Sequence, residues 1–188
     1  MISREDAFNL VTTWTENRNL IKHMLAVEAA MLGLASKLQV PTNKLQTWGI
    51  AGLLHDADYD KYPTEHPKRI IAELQKRDES EEIINAIKAH AFGYNDFKTE
   101  PKSNLEWSLY CCDELTGLIV AVTLIRPEKK LSAVTVDNVL SKWHKKDFAK
   151  GVERKNIELC EEKLGIKLPD FIQIVLTSMQ GIAEQLGL

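Results

Sequence analysis

Apolar positions recur at three- and four-residue intervals along almost the whole chain, a spacing that predicts amphipathic helices. Phe8, Leu10, Val11 and Trp14 form the first stripe, behind Ser3 and Asp6 in a box-like start. Ile21, Leu25, Ala29, Leu32 and Leu38 predict a second helix over 20–38, with His23 in its first two turns. A third helix is expected over 44–55. Its second half, with Ile50, Ala51, Leu53 and Leu54, is apolar on nearly every side and therefore buried. Thr64 is expected to cap a fourth helix carrying Glu65, His66 and Pro67 in its first turn and Ile70, Ile71 and Leu74 inward. Glu79 to His90 reads as a fifth helix, and 105–125 as a long sixth with Asp113 near its middle. Pro127 blocks simple continuation.

Beyond that proline the pattern is thinner. A polar connector precedes a short helix over 136–143. A helix over 153–164 stops at Gly165, and a last helix runs from Pro169 to Leu186. No two-residue alternation persists and no fixed-period repeat occurs, so the fold class is all-α. Residues 1–127 form the expected helical core. Residues 128–188 form a C-terminal helical extension, expected to pack on the same domain.

Composition narrows the classes of function. A length of 188 residues suits one domain with a real core. The net charge of -3 carries no overall footprint for nucleic acid. Charges at Arg4, Glu5, Asp6, Glu16 and Arg18 break any leader-peptide core, and no charge-free run reaches membrane-spanning length. Cys111, Cys112 and Cys160 are an odd set with two neighbours, so they suggest core thiols and a reducing, cytoplasmic setting.

The apolar third helix ends in Leu53-Leu54-His55-Asp56-Ala57-Asp58-Tyr59-Asp60, where polar residues break the pattern of a buried segment. Successive helical side chains stand about 100° apart, so His55 and Asp56 can share one centre only where the helix ends. Four of the five histidines, His23, His55, His66 and His90, precede Asp113. Each falls near an expected helix end or on an apolar helix. Three or more imidazoles with Asp56 and Asp113 suit Mn, Fe, Co, Ni or Zn better than Ca. His144, among lysines, reads as a surface residue. The basic run over 145–155 reads as a solvated face; its alternative is to close over the site and hold phosphate.

The order His23, His55-Asp56, Asp113 resembles the H…HD…D signature of the HD superfamily of metal-dependent phosphohydrolases. The stretches Ala86-Ile87-Lys88-Ala89-His90 and Tyr110-Cys111-Cys112-Asp113-Glu114-Leu115-Thr116-Gly117 extend the likeness over 20–127. It is nearest to short single-domain members. Ala57-Asp58 replace the Ile-Gly of the HDIG form, and the GYP element of cyclic-dinucleotide enzymes is absent. The resemblance implies a helical bundle and one or two divalent ions (Mn, Fe, Co, Ni, Zn or Mg) on His23, His55, Asp56 and Asp113. His66 and His90 stand where bimetallic members, such as the HD-type bis-nucleoside tetraphosphatases, have second-ion ligands; without that ion they would meet phosphate.

The implied reaction is attack of metal-bound hydroxide on phosphorus in a nucleotide or other small phosphorylated metabolite. Asp56 would bridge two ions. Asp58 or Glu65 would take a proton or orient a ligand histidine, and His66 would serve catalysis if not a ligand. Lys22, Lys61, Lys68 and Arg69 are the candidate phosphate partners. Tyr59, Tyr62 and Tyr94 are candidate pocket residues, and Trp48 and Trp107 core. No nucleic-acid or membrane partner is expected, and no oligomer signal is visible. The rival readings are a regulatory nucleotide-binding module with little turnover and, more remotely, a di-iron oxygenase.

Overall fold

The computed structural model describes residues 2–145 and 147–188. Among them are ten α-helices and no strand: α1 Arg4–Trp14, α2 Arg18–Lys37, α3 Leu45–Leu54, α4 Lys68–Lys76, α5 Glu81–His90, α6 Asn104–Leu124, α7 Val136–Trp143, α8 Arg154–Leu164, α9 Leu168–Gln180 and α10 Ala183–Leu186. Local chemistry accounts for several boundaries. Ser3, Asn17, Ser80, Ser103 and Thr135 each accept a backbone N–H in the first turn of the helix they precede. Gly165 leaves α8 in the left-handed region at φ 67°, which suits glycine. The expected last helix is interrupted: α9 stops before Gly181, a weak helix former, and Ile182 departs from helical geometry before α10.

The fourth helix starts later than its sequence suggests. Thr64, Glu65, His66 and Pro67 lie in turns, and α4 begins at Lys68. Its cap comes from a distance. Asp58 Oδ2 accepts the N–H groups of Arg69 at 3.0 Å and Ile70 at 2.9 Å, satisfying two donors at the helix start.

Three helices form the centre. α2, α3 and α6 pack on one another, α5 closes α3 and α6, and α1 lies on α3. After Pro127 the chain returns to this centre: α8 lies along α6, and α9 packs on α2 and α6. Helix α6 is the one described helix long and apolar enough to cross a membrane by length and composition, and most of it is buried against its neighbours. Trp48, Trp107, Cys111, Cys112 and Cys160 are all buried, the cysteines as free thiols.

The α2–α3 approach is close because position 52 has no side chain. A Cβ there would lie 3.0 Å from the Val27 carbonyl oxygen and 3.1 Å from Glu28 Cα. This contact carries the end of α3 toward α2, and so His55 toward His23. Gly52→Ala should therefore destabilise the protein by about 1–3 kcal/mol, since backbone atoms must move apart. Urea denaturation checks this; an unchanged midpoint would contradict it.

Candidate metal centre

Four helices each deliver one histidine or carboxylate to a shared point. His23 projects from the second turn of α2. His55 ends α3 and Asp56 begins the turn beyond it. His90 is the last residue of α5, and Asp113 lies midway along α6. His66 joins them from the loop before α4. The turn after α3 is tied to the α1–α2 connection: Asp60 Oδ2 accepts the N–H groups of Glu16 at 2.8 Å and Asn17 at 2.9 Å. Asp60 thus holds the motif beside the start of α2.

The side chains form two lobes around Asp56. In one, His23 Nε2 lies 3.2 Å from His55 Nε2 and 2.9 Å from Asp113 Oδ1. Asp56 Oδ2 is 3.7 Å from His23 Nε2 and 3.6 Å from His55 Nε2. In the other lobe, His66 Nε2 is 3.1 Å from His90 Nε2. Asp56 Oδ1 lies 3.3 Å from the former and 3.7 Å from the latter. The donor atoms of His23, His55 and Asp56, and separately of Asp56, His66 and His90, fall within 4.8 Å of one another, close enough for each set to hold an ion.

The outer nitrogen of every imidazole is already engaged. His55 Nδ1 donates to the Gly52 carbonyl at 2.7 Å, and His90 Nδ1 to the Ile87 carbonyl. His66 Nδ1 donates to Asp58 Oδ1 at 2.7 Å. Thr116 gives its hydroxyl proton to the Asp113 carbonyl at 2.8 Å, leaving its oxygen to accept from His23 Nδ1 at 3.2 Å. In its neutral form each ring therefore carries its proton on Nδ1 and turns an Nε2 lone pair inward. Two pairs of such lone pairs meet at hydrogen-bond distance, which is repulsive unless a proton or cation lies between them. Donors of this kind, backed by outer hydrogen bonds, fit a divalent transition ion or zinc.

Charge balance points the same way. Burial opposes charging of His55, yet the carboxylates of Asp56 and Asp113 outweigh it and raise its pKa to about 9. Burial likewise disfavours the charged carboxylates, but His55, with His90 on Asp56 and His23 on Asp113, drives both well below the usual range. Burial and the neighbouring rings of His55 and His66 lower the pKa of His90. A proton on His55 is thus the protein's own substitute for positive charge at this point.

The cluster forms the floor of a cavity of about 670 Å³. His23, Asp56, His66, His90 and Asp113 face it, as do Tyr59, Phe92, Tyr94 and Tyr110 on the walls and Gly151, Val152 and Asn156 across it. His55 is fully buried behind the floor. Glu114 also faces the cavity; burial and then the charge of Asp113 raise its carboxyl to about 7. It accepts the Glu153 N–H at 3.2 Å, tying α6 to the start of α8. Sequence spacing drew attention to Asp113 and passed over Glu114 and Thr116, although both adjoin it within one turn.

Several expected roles need correction. Asp58 is fully buried and does not line the cavity. One oxygen holds His66 and the other caps α4, so it orients an imidazole and has no place as a catalytic base. Glu65 pairs with Arg69 at 2.8 Å and also lies outside the cavity. None of the four candidate phosphate cations lines it. Lys61 Nζ donates to the Thr13 carbonyl, and Arg69 stacks on Tyr62; Lys68 is exposed, and Lys22 faces a neighbouring cavity. Neighbours in sequence fan outward here because the ligands sit on helix ends. His144 is exposed. Of the basic run, Lys146 lies outside the described residues. Lys145, Lys150 and Lys155 are exposed, yet Gly151, Val152 and Asn156 between them do border the cavity.

A family model of the HD domain matches residues 20–118, and the chain belongs to that family. Its superfamily is one of metal-dependent phosphohydrolases, and the matched span includes His23, His55, Asp56, His66, His90 and Asp113. Comparison with curated proteins and with solved structures gave no match.

Two consequences are measurable. Asp58→Ala removes the acceptor for His66 Nδ1 and for two α4 N–H groups. It should cost about 1–3 kcal/mol of stability and weaken metal binding by about 10–100-fold. Urea titration and competition with a chromogenic chelator measure the two effects; wild-type values in both would refute the positioning role. In metal-free protein, the raised pKa of His55 adds stability that is complete below its unfolded value near 6.5 and lost as pH rises through about 9. The depressed carboxylates add stability present above about pH 4 and lost on further acidification. With chelator present, the melting temperature should fall from about pH 6.5 toward pH 10; a curve rising through that range would contradict it.

Proposed function

We propose that the protein is a metal-dependent phosphohydrolase acting on a nucleotide or another small phosphorylated metabolite. The observation that carries this reading is Asp56, which offers one carboxylate oxygen to each lobe at the floor of an open cavity. His23, His55, Asp113 and Asp56 Oδ2 would hold one divalent ion; Asp56 Oδ1, His66 and His90 would hold a second. Such ions acidify water and neutralise phosphoryl oxygens.

The chain supplies positioning and shielding. His55 and His66 are buried, and their Nδ1 bonds fix both rings before substrate arrives, so little reorganisation is required. Asp56 and Asp113 keep their negative charge and so favour cation over proton at neutral pH. No lysine or arginine among the described residues lines the cavity, so phosphoryl charge would be met by the ions. Tyr59 and Tyr94 flank His66 edge-on, with ring centroids 5.3 and 5.9 Å from it, and narrow the space beside that lobe. Buried free thiols at Cys111, Cys112 and Cys160 suit a reducing compartment such as the cytoplasm.

The test is phosphate release from a panel of mononucleotides, dinucleoside polyphosphates and sugar phosphates, after reconstitution with Mn, Fe, Co, Ni or Zn. Release above the metal-only background is expected for at least one member. His55→Ala and Asp113→Ala should each lower it by about 100-fold or more, by removing a ligand, while circular dichroism stays close to wild type. Metal bound at full stoichiometry with no release from any member would favour a binding module instead.

A further inference from the structure

A second cavity of about 380 Å³ adjoins the first, between α2, α6 and α10. His23 and Gly117 line both. Away from His23 the second cavity is largely apolar, walled by Ala26, Val120, Leu124 and Leu186, with Lys22 and Asn19 at one end. Leu124 remains 50% exposed there.

Gly117 marks the join. It stands one turn beyond Asp113 inside α6, where glycine weakens a helix relative to alanine. Two other helical glycines have a steric reason, whereas Gly49 in α3, like Gly117, would make only ordinary contacts but lines neither cavity. A Cβ at Gly33 would overlap Ser178 Oγ, and one at Gly52 would press on the backbone of α2. At Gly117 a Cβ would meet only Val152 Cγ2, at 3.9 Å, an ordinary contact. Packing among the protein's own atoms thus does not require glycine at 117. With His23, Gly117 stands on the border shared by the donor-lined cavity and the apolar one.

We propose, building on the phosphohydrolase reading, that the substrate is a phosphomonoester of an uncharged, apolar alcohol. Its phosphoryl group lies over the Asp56 cluster, and its hydrocarbon portion crosses Gly117 into the second cavity. Gly117 is then a specificity-determining residue. In the reaction, oxygen from water bonds to phosphorus, the ester P–O bond breaks, and the alcohol leaves with a proton and inorganic phosphate.

The aromatic wall is a poorer seat for the organic group. Tyr59 and Tyr94 are tilted 41° to each other at 6.4 Å, and both meet His66 edge-on. Tyr94 also bonds the Pro63 carbonyl at 3.4 Å. These rings brace an imidazole and do not form a parallel slot for a planar base. The second cavity offers apolar surface with no such commitment.

The experiment pairs binding with turnover on the full chain reconstituted with Mn. Calorimetry compares ethylphosphonate with octylphosphonate, which cannot be hydrolysed; phosphate release compares ethyl with octyl phosphate, with AMP alongside. Burial of the added methylenes should favour octyl by about tenfold or more in both measurements. Gly117→Leu should reduce the octyl-to-ethyl ratio by about tenfold, and Gly117→Ala by a smaller factor while raising the melting temperature. Gly117→Ala keeps the test decisive if the leucine variant does not fold. An octyl-to-ethyl ratio near one, a ratio unchanged in Gly117→Ala, or a preference for AMP over octyl phosphate would overturn the proposal while leaving hydrolysis standing. Octyl-selective binding with no phosphate release from any ester would sustain the groove and sink the hydrolase reading.

Discussion

Four imidazole nitrogens and two carboxylates face one another at the end of a buried helix, and the fold is arranged to keep them there. Nε2 atoms approach to 3.1 and 3.2 Å in two separate pairs. At the partly buried floor of the cavity this is a costly concentration of lone pairs and negative charge. It becomes favourable when positive charge sits among them. The raised pKa of His55 and the depressed pKa values of Asp56 and Asp113 are the same fact expressed through protons. Family membership and electrostatics therefore converge on a cation site by independent routes.

The supporting bonds explain why so many helix ends meet here. A helix end exposes carbonyl groups that have no partner within the helix, and His55 and His90 each turn back to one, on Gly52 and Ile87. His66 depends on Asp58, whose second oxygen closes the start of α4; placing the ring and starting the helix are one event. His23 depends on Thr116, itself locked to α6 one turn past Asp113. Ligand orientation and helix packing are thus coupled, and metal binding and stability should respond together to changes in either.

Much of this was legible from residue order. Periodicity marked the central helices because each buries an apolar face, and the polar residues ending α3 stood out against the apolar run before them. Other features depend on contacts between distant residues. The cap of α4 comes from Asp58, ten residues upstream of Lys68, so Thr64 looked like the local choice and was not used. Lys22, Lys61, Lys68 and Arg69 adjoin ligands in sequence but point elsewhere, because successive residues on a helix or tight turn diverge. Gly117 gives no sequence signal beyond a glycine in a helix; its meaning depends on what surrounds the missing Cβ.

The cavity joins the centre to solvent, and its far wall comes from the segment entering α8, outside the span that matches the family model. A shared floor of donor side chains with a wall of separate origin is how one scaffold can come to serve different ligands. All of this rests on cations occupying the two lobes. Anomalous diffraction from crystals grown with manganese, recorded on both sides of its absorption edge, tests that directly. The account predicts one peak among His23, His55, Asp56 and Asp113 and another among Asp56, His66 and His90. Crystals that contain manganese but show no peak within ligand distance of Asp56 would contradict it.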